Sequence, residues 1–102
     1  MYIVLMMDLY VEKNNMKINL TQLKVRPSLL EEEKVLDVQK TIADLIWKEC
    51  GKDDIAKASF ALRLFDAPGE IEITDAEKQY IEAVLVNAKY WLVDAIEKEL
   101  NK

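Results

Sequence analysis

The chain has 102 residues, 51% of them hydrophobic and 32% charged, with only two Gly and two Pro. That makes one domain, excludes a disordered chain and favours helices over a turn-rich all-β fold. The net charge is −5, Arg occurs only at positions 26 and 63, there is no His, and Cys50 is the single cysteine. These counts leave no basic stripe for nucleic acid. They also remove the commonest metal ligand and general base and any internal disulfide, which fits a reducing cytoplasm.

Met1 to Asn15 opens with the apolar run Tyr2-Ile-Val-Leu-Met-Met7, ended by Asp8. The run is too short to span a bilayer and lacks the basic start and cleavage site of a signal peptide. Val11-Glu-Lys-Asn-Asn15 then precedes Met16, in purine-rich codons that resemble a ribosome-binding leader read in frame. Residues 1–15 are therefore expected to be a leader or alternative start, with 16–102 as the single globular domain. The other reading is an added N-terminal strand.

From Met16 to Arg26 the apolar residues alternate in two phases, Ile18 and Leu20 and then Leu23 and Val25 one position out of register. This predicts a strand with a bulge or bend near Thr21-Gln22, stopped by Pro27. Ser28-Leu-Leu-Glu31 matches a capping box, but Asp37 is the preferred cap. The acidic triplet Glu31–Glu33 then lies in a loop or hairpin. Val38, Ile42, Leu45 and Ile46 make one helical face, Ala43, Trp47 and Cys50 a second patch, and Gly51 the stop. Asp53 or Asp54 caps a further helix reaching about Phe65. Ile55, Ala58, Leu62 and Phe65 form its main apolar stripe, and Ala56, Phe60 and Leu64 lie on the other side. Asp66-Ala-Pro-Gly69 reads as a turn.

Ile71 and Ile73 alternate with Glu70 and Glu72, giving a short half-buried strand expected to pair with the one near residues 17–26. Thr74-Asp-Ala-Glu77 is a capping box that opens the last helix, Asp75 to about Leu100. Ile81, Val84, Leu85, Ala88, Leu92, Ala95 and Ile96 make its core face. Ala83, Val86, Tyr90 and Val93 lie opposite, so the helix is apolar nearly all round and must be covered on both sides. At 1.5 Å per residue it would run roughly 39 Å, as long as the domain itself. Either the helix is continuous and Ala83, Val86, Tyr90 and Val93 are a candidate interface, or it breaks near Asn87 and its halves bury different faces. Continuity is preferred, because no Gly or Pro supports a break. Tyr90 and Trp91 diverge by about 100° and should not share a pocket.

Chemical motifs are few. Cys50 at a helix C-terminus has no His to activate it and reads as a structural thiol. Asp53-Asp54 lacks calcium-loop spacing and reads as a cap. Glu70, Glu72 and Asp75 read as surface alternation and a cap rather than an acid pair. No catalytic, cofactor-binding or metal residue is assigned. The fold class expected is α+β: a small two- or three-stranded sheet packed by three or four helices, in the order β-α-α-β-α, with a long C-terminal helix.

Ile18-Asn-Leu20, Ala61-Leu62 and Glu70-Ile-Glu-Ile-Thr-Asp75 carry a resemblance across residues 16–100 to small α+β proteins encoded by phages and prophages. The resemblance implies a mobile-element origin and a role in virion assembly or host takeover, and it supplies no site residues. The function expected is a non-catalytic interaction or assembly module that self-associates through the C-terminal helix. The alternative is a small acidic regulator that binds and blocks a host protein. The expected partners are a homo-oligomer or another protein, with no nucleic acid and no membrane.

Overall fold

The computed structural model describes residues 15–102; the expected leader or added strand lies almost wholly outside them. Strand β1, Met16–Asn19, pairs antiparallel with β4, Glu70–Ile73, in the register Met16↔Ile73 to Asn19↔Glu70. The alternation works as predicted: Ile18, Ile71 and Ile73 are buried, while Lys17, Glu70 and Glu72 face water. The phase change after Leu20 is a bend, in which the Asn19 Oδ1 accepts the Thr21 N–H at 2.9 Å. An Asx-type turn of this kind redirects the chain. It sends β2, Leu23–Val25, out of the first sheet to pair with β3, Lys34–Leu36. The expected single sheet is therefore two separate two-stranded sheets. The Ser28 segment is the hairpin tip, not a helix start, and the Arg26 guanidinium holds it by donating to the Leu29 and Glu31 carbonyls.

Helix α1, Gln39–Glu49, begins where the Asp37 carboxylate accepts the Gln39 N–H. It buries Ile42, Ala43 and Ile46 and leaves Leu45 partly outside. Its end comes without a left-handed glycine: Cys50 is extended, and the Gly51 N–H donates to the Asp54 carboxylate at 2.7 Å. Helix α2, Ile55–Asp66, packs antiparallel to α1 and buries Phe60, Ala61 and Leu64. Phe60, wholly buried, meets the Tyr80 ring at a centroid distance of 6.2 Å. The buried Gln39 side chain ties the start of α1 to the turn after α2, its Nε2 donating to the Ala67 carbonyl at 2.7 Å.

Helix α3, Asp75–Ala83, opens with the predicted capping box: Thr74 Oγ1 accepts the Glu77 N–H, and the Glu77 carboxylate accepts the Thr74 N–H. Arg63 from α2 adds a 2.8 Å ion pair to the same Glu77. The expected helix to Leu100 does not continue. After Ala83 the bonds tighten to i→i+3 (Val84 to Ile81, Leu85 to Glu82, Ala88 to Leu85), and Lys89 turns extended at φ −64, ψ 144. Helix α4 then runs Tyr90–Leu100. Both flanks of the break are anchored in the core. Ile81 and Leu85 reach the core from one side of it, and Ala95, Ile96 and Leu100 from the other. Among the described residues no helix is long and apolar enough to cross a membrane.

Candidate functional site

Two concave surfaces stand out. The first lies between α1 and α2, a cavity of about 190 Å³ lined by Ala43, Asp44, Trp47, Ala61, Leu62 and Phe65. Helical spacing builds it. On α1, positions 40, 44 and 47 follow one ridge, and on α2, positions 55, 58, 62 and 65 follow one stripe. That stripe is the one the sequence reading ranked first on α2, and the fold turns it outward. Ile55 is 76% exposed, Leu62 53%, Phe65 43%, and Trp47 across the groove 49%. Phe60 and Leu64, from the other side of α2, take the core instead. The Lys40 ammonium lies 5.1 Å from the Phe65 ring centroid, a cation–π contact at the end of the groove. Asp44 and Lys48 close its rim as an exposed 3.0 Å pair. Exposed large apolar residues are ordinary when single; Trp47, Leu62 and Phe65 bordering one groove, with Ile55 further along the same stripe, are what docking surfaces look like.

The second surface is a cleft of about 580 Å³ between the β2–β3 ribbon and α4. Lys24, Arg26, Asp94 and Lys98 line it together with Tyr90 and Trp91. The two aromatics do share a pocket, against expectation, because they open α4 at the mouth of a wide cleft rather than project from mid-helix. Three of the charged side chains are already engaged. Arg26 is spent on the hairpin tip, and Lys98 pairs with Asp94 at 3.0 Å. The hydrogen bond to Asp94, reinforced by that carboxylate's charge, holds the exposed Lys98 above its ordinary value of 10.5.

The four candidate interface residues on the C-terminal segment are distributed by the break. Ala83 ends α3, Val86 sits in the turn at 79% exposure, and Tyr90 starts α4 at 82%. Val93 is half-buried against the core. They do not share one helix. Of the remaining chemical residues, the half-buried Cys50 thiol donates to the Ile46 carbonyl at 3.3 Å. Asp54 accepts from Gly51, and Glu72 accepts from the Asn15 amide at 3.1 Å. Among the described residues no three His, Cys, Asp or Glu side chains cluster as metal ligands would.

Compared with protein-family models, curated proteins and solved structures, the chain finds no match. The α1–α2 groove offers apolar area and shape, with little polar chemistry; the ribbon–α4 cleft offers mixed charge, part of it spent on the Asp94–Lys98 pair and the hairpin tip.

Proposed function

We propose that this is a non-catalytic interaction module whose docking surface is the outer face of the α1–α2 hairpin. One observation carries the reading: Ile55, Ala58, Leu62 and Phe65 lie on one unbroken helix, spaced by three, four and three residues, with large side chains left in water. That spacing is the seam by which one α-helix recognises another, and Trp47 gives the groove a rigid aromatic wall of the kind that dominates interfaces. The partner it fits is an amphipathic helix laid along α2. Tyr90 and Val86, both strongly exposed, supply a second reading in which the C-terminal segment makes the contact. A regulator that blocks a host protein would use the same groove.

Selection from a displayed library of amphipathic helical peptides tests this. Leu62→Glu should abolish binding of the selected peptides while the circular dichroism spectrum stays unchanged, and Val86→Asp with Tyr90→Ala should leave binding intact. The reverse pattern moves the docking surface to the C-terminal segment. Val93→Asp separates the roles there: loss of fold marks that face as core.

A further inference from the structure

We infer that the helix docked on α2 is the α2 of a second copy, running antiparallel about a two-fold axis at the level of Phe60. This rests on the reading of the outer α1–α2 face as a docking surface. The stripe is symmetric in position about residue 60. An antiparallel copy therefore sets Ala58 against the Leu62 of the other chain and Ile55 against its Phe65. Small meets large at the centre of the seam, the arrangement that interdigitates without a void. A parallel copy would set Ala58 against Ala58 and Leu62 against Leu62. Charge favours the same direction. Lys40, over the Phe65 ring, and the exposed Asp66 mark one end of the stripe, while the exposed Lys52, Asp53 and Asp54 mark the other. Antiparallel pairing brings Lys40 toward Asp53 and Asp54, and Asp66 to the end that holds both Lys52 and Asp54. Parallel pairing brings each end against its own charges. Such an interface is isologous and closes after two copies. The seam runs from Ile55 to Phe65, roughly 15 Å, so the contact sits at the small, weak end of specific interfaces.

Sedimentation of the full chain from about 10 μM to about 1 mM, a range matched to weak association, reads the outcome. The weight-average mass should rise from 11.8 kDa toward twice that value. Leu62→Glu should hold it at the monomer, and Val86→Asp should leave the rise unchanged. A chain that stays monomeric to 1 mM overturns the inference, and if helical peptides still bind it, the docking reading stands without it. A dimer lost on Val86→Asp but kept with Leu62→Glu also overturns it. For direction, Cys50→Ser chains carrying Ala58→Cys should cross-link to Cys50→Ser chains carrying Leu62→Cys faster than either cross-links to itself. Faster self-linking marks parallel pairing and refutes the antiparallel arrangement.

Discussion

Two stretches of this chain carry apolar residues at the same three-four-three spacing: positions 55, 58, 62 and 65 in α2, and positions 83, 86, 90 and 93 across the end of α3 and the start of α4. As sequence they are near equivalents, yet the fold treats them oppositely. The first stays on one helix and is left in water. The second is cut by a turn between Ala83 and Tyr90, and its Val93 leans on the core. A periodic stripe thus defines a surface only where the backbone remains helical. Whether that surface is inside is decided by what the other faces of the same element can offer.

The strongest way to break the comparison is to attack α2 from both sides. Phe60→Ala should cost about 3–5 kcal/mol of stability, since a fully buried aromatic leaves a cavity. Leu62→Ala, on the outward stripe, should stay within about 0.5 kcal/mol of wild type under dilute conditions. Chemical denaturation measures both, and equal costs mean that the outer stripe is core.

A smaller effect sharpens the other half. Tyr90 is the first residue of α4 and follows an extended Lys89, which is where proline is welcome. Tyr90→Pro should therefore change stability by less than about 1 kcal/mol. In a helix continuing from Asp75 to Leu100 the same change would cost about 3 kcal/mol, so a large loss of stability would restore the unbroken helix.

The smallest effect concerns the cleft beside α4. Asp94→Asn should return the Lys98 titration toward 10.5, as read by NMR of the lysine side chain. Because the pair raises the folded-state value, its stabilising contribution is present at neutral pH and is lost as pH rises through that value. An unchanged Lys98 titration excludes the pair.

The parts of the fold readable from sequence are those governed by neighbouring residues. The Thr74–Glu77 capping box, the Ile71/Ile73 alternation and the bend after Leu20 each depend on chemistry within a few positions. The break after Ala83 is one of the two readings the sequence leaves open, near Asn87, and no Gly or Pro marks it. The facing of α2 was hidden for a different reason. Both its sides are apolar, and the longer stripe reads as the better core face until Phe60 finds Tyr80. The α1–α2 groove was missed with it, although Trp47 and Ala43 were grouped as a patch. That grouping, set beside the α2 stripe, was the available signal.

The pairing of β1 with β4 has a consequence for how the domain can be divided. Asn15 and Glu72, hydrogen-bonded across the ends of that sheet, are 57 positions apart. Both helices of the α1–α2 hairpin and the whole β2–β3 ribbon lie in the interval between them. A cut anywhere within that interval separates the two strands, and no contiguous fragment that lacks either end retains the sheet. The strand at the beginning of the described chain works as a clasp on everything that follows, so the local pieces it encloses gain or lose their order together.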